Sequence, residues 1–130
     1  MEYISIETTK EKEIVDVTPF IEKQISKKGF VHGVCFLFVT HTSCALTTAD
    51  LDPGTDLDML DAFENMIPKL KYRHPHDPSH VPDHILSALI GTSLTLPLQN
   101  GSLVLGTWQR VVLVEFNGPR KRDIILKCLR

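Results

Sequence analysis

The chain is short of the features that announce most functions. Its three cysteines, Cys35, Cys44 and Cys128, are widely spaced and include no CxxC pair. Such a set reads as reduced thiols rather than as a disulfide framework. No segment approaches the roughly 20 apolar residues of a membrane-spanning helix. The opening stretch MEYISIETTKEKEIV lacks the apolar core of a signal peptide. A cytoplasmic protein with no membrane partner is therefore expected. No internal repeat and no low-complexity tract interrupts the sequence. Neither sign of charge dominates: 14 basic residues stand against 16 acidic ones, a net charge of −2. This argues against nonspecific nucleic-acid binding, and no nucleic-acid partner is expected. Also absent are a phosphate-binding P-loop, a dinucleotide fingerprint and a serine nucleophile elbow.

What is present suits one ordinary folded domain over residues 1–130. A 42% hydrophobic, 23% charged composition can bury a real core at this length. Leu94, Leu96 and Leu98 alternate with Ser93, Thr95 and Pro97, the period-2 pattern of a strand with one buried face. Asn100-Gly101 then supplies a hairpin turn, followed by strands at Ser102–Gly106 and Arg110–Phe116. Val111, Val112, Leu113, Val114 and Phe116 are dense enough in apolar character for a strand covered on both faces. Glu115 inside that run must be paired, protonated or aimed at a cavity. Gly33–Thr40 reads as a second central strand. Further strands are expected at Tyr3–Thr8, Glu13–Val17, Cys44–Asp50 and Asp123–Leu129.

Three helices fit between the strands. The first starts near a Thr18 cap with Pro19 in the first turn and ends at Gly29. A second follows Asp52-Pro53-Gly54, with Thr55 and Asp58 as a capping box, and ends near Ile67 before Pro68. Pro82 opens a third, closed by Gly91. Lys71–Val81 is polar, without apolar periodicity, and reads as a loop.

Histidine carries the most chemical information. Of six, His74, His76, His80 and His84 fall in one loop and the helix after it, and His41 ends a buried strand. His41 is either a ligand or a satisfied core histidine. Three imidazoles from separate elements suit a divalent ion, with one coordination position open. The aspartates Asp56, Asp58 and Asp61 have a simpler role in the first turns of a helix. Asp50, close beyond the His41 strand, is a candidate catalytic carboxylate, with Gln109 and Glu115 beside it. Gly118-Pro119-Arg120-Lys121-Arg122 reads either as an anion site centred on Arg120 and Arg122 or as a solvated charge run. Trp108 is expected in the core, Gln109 at the pocket, and Cys44 pointing into a core.

The ordered set Ser93-x2-Leu96-x-Leu98-x2-Gly101-x4-Gly106-Thr107-Trp108-Gln109-x-Val111 resembles the signature of the YjbQ-like family of small bacterial and archaeal proteins. His41-Thr42-Ser43, Tyr72-Arg73-His74, His84-Ile85, Gly91-Thr92-Ser93-Leu94 and Phe116-Asn117-Gly118-Pro119-Arg120 resemble it in the same order, from about Gly33 onward. Ala49-Asp50 stands where the family has an Asn-Glu pair. The resemblance implies an α+β domain whose antiparallel strands form a sandwich or barrel-like sheet with about three helices. It also implies a homotrimer and a weak, secondary thiamine phosphate synthase activity. His41, His74 and His84 match the family's recurrent histidines, and are the candidate ligands of zinc, magnesium or a similar divalent ion. The expected function is a small metal-assisted enzyme acting on a phosphorylated small molecule. The alternative is a non-catalytic metal- or ligand-binding oligomer.

Overall fold

The computed structural model describes residues 1–130. The elements run β1 (Glu2–Glu7), β2 (Glu13–Asp16), α1 (Thr18–Lys28), β3 (Gly33–Val39), β4 (Cys44–Ala49), α2 (Thr55–Met66), a 3-10 turn (Pro78–His80), α3 (Val81–Ile90), β5 (Ser93–Gln99), β6 (Ser102–Leu103), β7 (Arg110–Glu115) and β8 (Lys121–Leu129). The fold is α+β, with three helices and two antiparallel sheets. One sheet has the order β1-β8-β3-β5-β6, the other β2-β7-β4. The strand expected over Ser102–Gly106 is only two residues long.

The alternation of apolar side chains sets the layers. β3 turns Cys35, Leu37 and Val39 inward, β8 turns Ile124 and Leu126, and β7 turns Val111 and Leu113, all fully or almost fully buried. With Ile21 and Ile25 of α1 they form the main core between the sheets. The other face of β7, Val112 and Val114, with Phe116 just beyond its end, packs with Leu86 of α3 and with Leu60 and Phe63 of α2. Phe63 meets Phe116 edge to face at 6.2 Å, a favoured aromatic geometry. The apolar surplus of β7 is thus consumed within the chain. That of β3 is not: Val34 and Phe36, on its outward face, remain 40% and 38% exposed.

Two helix starts differ from the sequence reading. Thr18 does not cap α1; its hydroxyl accepts from the Val111 amide at 2.8 Å and ties the helix to β7. Asp16 Oδ1 takes the Thr18 amide instead. Gly54, not a Thr55–Asp58 box, occupies the cap of α2, and no side chain bonds the helix end. A tertiary partner outcompetes the local cap in the first case, and Gly54 at φ 90° takes the second because it enters the left-handed region without strain.

Candidate functional site

The link between β3 and β4, His41–Ser43, is held from three sides. His41 Nε2 accepts the Asp123 amide of β8 at 2.9 Å. His84 Nδ1, on α3, donates to the Thr42 carbonyl at 2.8 Å. The Arg122 guanidinium donates to the Ser43 carbonyl and hydroxyl at 3.2 and 2.8 Å. These partners decide where the ring protons sit. A backbone amide only donates, so neutral His41 carries its proton on Nδ1. A carbonyl only accepts, so His84 carries its proton on Nδ1 and keeps the Nε2 lone pair. His74 Nδ1 accepts the His76 and Asp77 amides, both at 3.2 Å, which places its proton on Nε2. His74 stacks on His84 with ring centroids 5.4 Å apart. His41 and His84 share the wall of an open, largely apolar cleft of about 630 Å³ with Phe38, Thr42 and Ala88.

Beneath the link lies a buried ion pair. Glu115 is on the inward face of β7 and Arg122 on the inward face of β8, and they meet between the sheets with 0% and 3% exposure. The Arg122 Nε reaches Glu115 Oε1 at 2.8 Å, with a second bond from Nη2 to Oε2. Thr8 donates to Glu115 Oε1 at 2.7 Å and receives the Arg120 amide at 2.9 Å. Burial alone would raise the Glu115 pKa. The bonds from Arg122, Thr8 and the Asn117 amide more than offset it, leaving the carboxyl below its usual range. His41 is likewise held below the ordinary histidine value, by burial first and then by the nearby Arg122 charge. Close packing accompanies these bonds: a Cβ on Gly118 would lie 2.2 Å from the Lys10 carbonyl oxygen, so only glycine fits there.

His80 sits in a separate network at the start of α3. Its Nδ1 lies 2.8 Å from Asp83 Oδ2 and its Nε2 3.1 Å from Asp77 Oδ2, while Lys12 Nζ approaches Asp83 Oδ1 at 3.3 Å. The Asp83 bond raises the His80 pKa despite some desolvation. The two histidines therefore respond to pH in opposite senses. A raised folded-state pKa at His80 contributes stability below pH 6.5 that disappears as pH rises through the folded value. A lowered one at His41 contributes stability above pH 6.5 that disappears as pH falls through the folded value. Proton NMR titration should place His41 below 6.5 and His80 above it, and Asp83→Asn should bring His80 back toward 6.5. An unchanged His80 in that variant would remove Asp83 as the cause.

The structure divides the residues singled out from sequence into two groups. His41, His74, His84, Glu115, Arg120 and Arg122 gather near the start of β4 and the end of β7. Arg120 is exposed, with Nε donating to the Asn117 carbonyl at 2.7 Å, and its charge reaches His41. Arg122 is not available to a phosphate: it is buried and committed to Glu115 and Ser43. Glu115 orients Arg122, not a surface ligand. Asp50 and Gln109 lie at the opposite end of β4 and β7, where Ala49 pairs with Arg110, whereas Cys44 pairs with Glu115 at the near end. Five residues of strand place them roughly 17 Å away. Asp50 accepts the Asp52 amide at 2.8 Å, and Gln109 bridges the Gly106 amide to the Thr48 hydroxyl. Trp108 beside them is not in the core but 73% exposed, because the Gly106–Gln109 turn carries it outward. Cys44 does point into the core, and burial pushes its thiol up to about 11. Sequence reasoning missed Thr8, Thr42 and Ser43, whose roles arise from partners far along the chain; only the His-Thr-Ser run gave a hint.

The donor set does not fit a shared metal ion. No three histidine, cysteine or acidic side chains converge as a metal-holding group. His41 and His74 each spend one ring lone pair on backbone amides and carry a proton on the other nitrogen. Only His84 Nε2 offers a lone pair, and zinc or magnesium needs several.

The fold and site define a small α+β protein whose paired antiparallel sheets present a histidine-walled cleft at one end. The chain belongs to the UPF0047 protein YjbQ-like family, whose pattern matches residues 2–130. A UPF0047 protein of Archaeoglobus fulgidus is 34% identical over 127 residues, 97% of this chain and 98% of that one. UPF0047 protein YugU of Bacillus subtilis is 32% identical over 127 residues, 97% and 96% of the two chains. Among solved structures, an uncharacterized conserved protein of the YjbQ/UPF0047 family from Clostridium acetobutylicum superposes with TM-score 0.89 at 31% identity, covering 99% of this chain and all of that one. The hypothetical protein APE1520 from Aeropyrum pernix superposes with TM-score 0.91 at 29% identity, covering 98% and 96%. No helix is long and apolar enough to cross a membrane.

Proposed function

We propose that the cleft walled by His41 and His84 binds the phosphate of a small molecule, and that the protein is an enzyme acting on that molecule. One observation carries this reading: the Asp123 amide occupies His41 Nε2, so the neutral ring is a fixed N–H donor, and the charge of the exposed Arg120 reaches it. Donors of this kind stabilise negative charge as it builds on a leaving phosphate or pyrophosphate. His84, with its Nε2 lone pair, is suited to accept a proton from an attacking group. Imidazole and guanidinium donors take the place of the divalent ion expected from the histidine count. The resemblance to the family suggests the reaction class, the joining of a pyrimidine pyrophosphate to a thiazole phosphate with loss of pyrophosphate.

The test is calorimetric titration of inorganic pyrophosphate, paired with a coupled assay of pyrophosphate release. His41→Ala and His84→Ala should both lower turnover, and His41→Ala should also weaken binding. Binding without turnover of the two phosphorylated substrates would favour the non-catalytic alternative. Stoichiometric metal in the purified protein, lost in His74→Ala, would restore the metal-assisted reading.

The homotrimer implied by the family resemblance would use the outward face of β3. Val34, Phe36 and Phe38 give that face more apolar surface than a monomer benefits from. Sedimentation velocity should show an oligomer that Phe36→Lys dissociates; a concentration-independent monomer would end this idea.

A further inference from the structure

A pair of cysteines lies on neighbouring strands of the larger sheet, away from the histidine cleft. Cys35 on β3 and Cys128 on β8 are directly opposed in the antiparallel register. Their sulfurs are 2.8 Å apart and the thiols are free. Both side chains point to the same face of the sheet. They differ in access: Cys35 has 0% exposure, whereas Cys128, two residues from the chain end, is half-buried. Cys44 is buried elsewhere and takes no part.

We propose that Cys35 and Cys128 are a reversible oxidation site, closed to an intramolecular disulfide by a peroxide. The accessible Cys128 thiolate attacks one peroxide oxygen. The O–O bond breaks, Cys128 becomes a sulfenic acid, and the departing oxygen leaves as water after taking a proton. The Cys35 sulfur then attacks the Cys128 sulfur, forming the S–S bond and expelling the sulfenic oxygen as a second water with the Cys35 proton. Two thiols and one peroxide give one disulfide and two waters, a balanced two-electron oxidation. Burial pushes the Cys35 thiol up to about 12, so the first attack belongs to Cys128 and Cys35 resolves it. The bond needs little backbone movement, because directly opposed residues of a ladder hold their Cβ atoms about 4.5–5.5 Å apart, close to the separation a disulfide requires. Closing it ties together β3 and β8, the strands that lead to His41 and from Asp123.

The experiment uses the full chain treated with hydrogen peroxide, then unfolded in iodoacetamide and weighed by mass spectrometry. Untreated protein should take three alkyl groups. Oxidised protein should take one, at Cys44, with a Cys35–Cys128 cross-linked peptide that dithiothreitol removes. Cys44→Ser should still close the bond, whereas Cys128→Ser should leave Cys35 fully alkylated after peroxide. Three alkyl groups after treatment would overturn the proposal. So would an intermolecular dimer on a non-reducing gel, or terminal oxidation of Cys128 with Cys35 still free.

Discussion

Replacing Glu115 by Ala is expected to lower the unfolding free energy by about 3–5 kcal/mol, the cost of leaving a buried charge without its partner. Arg122 would then keep only its bonds to Ser43 in a site that excludes water. Glu115→Gln should be destabilising as well, since it preserves the shape and the Thr8 bond but removes the charge that Arg122 faces. The double replacement Glu115→Leu with Arg122→Met should recover much of the loss, because two apolar side chains require no charge compensation. Chemical denaturation of the single and double variants gives the coupling energy. A loss below about 1 kcal/mol in Glu115→Ala would show that water reaches the pair, as it does at surface ion pairs. The pH dependence supplies an independent reading. Glu115 has a lowered folded-state pKa, so its contribution is present above the ordinary value near 4.5 and is lost as pH falls through the folded value. Arg122→Met should also let the His41 pKa rise, since the Arg122 charge helps depress it.

Arg120→Ala is expected to weaken pyrophosphate binding by about 1.5–3 kcal/mol, the range for a hydrogen bond to a charged group. This exposed guanidinium stands two residues before the buried Arg122, and the two have separate tasks. Arg120 uses Nε on the Asn117 carbonyl, which orients the head and leaves two terminal amino groups for a ligand. Folding should change little, because an exposed arginine contributes little to stability. Lys121 is exposed at the start of β8, where Cα register places it opposite Glu7, so Lys121→Ala should cost much less affinity. Calorimetric titration of wild type and both variants tests the difference. Equal affinities across the three would return the basic run to a solvated strand edge, and Arg120 would have no part in the site.

Strand identity was legible because it depends on local alternation. The Leu94–Leu98 pattern, the Asn100-Gly101 turn and the dense run at Val111–Phe116 each report how neighbouring side chains divide between two faces. The burial of Glu115 was legible for the same reason: an acidic residue in an apolar run demands a partner. Which partner it takes is not a local property. Arg120 and Arg122 both follow the turn at Gly118-Pro119, and simple alternation would put them on one face; Arg120 stays outside because it precedes β8, whereas Arg122, within β8 between β1 and β3, is turned inward. Thr18 shows the same limit, since its hydroxyl meets a β7 amide 93 residues away rather than its own helix. The histidines make the contrast sharpest. Composition drew attention to the histidines, and the family resemblance singled out His41, His74 and His84 among them. Whether each ring presents a proton or a lone pair was decided by the Asp123 amide, the Thr42 carbonyl and the amides of His76 and Asp77. Side-chain pattern along the chain determines faces and elements; the donor or acceptor role of a ring is set by the backbone group that folding brings against it.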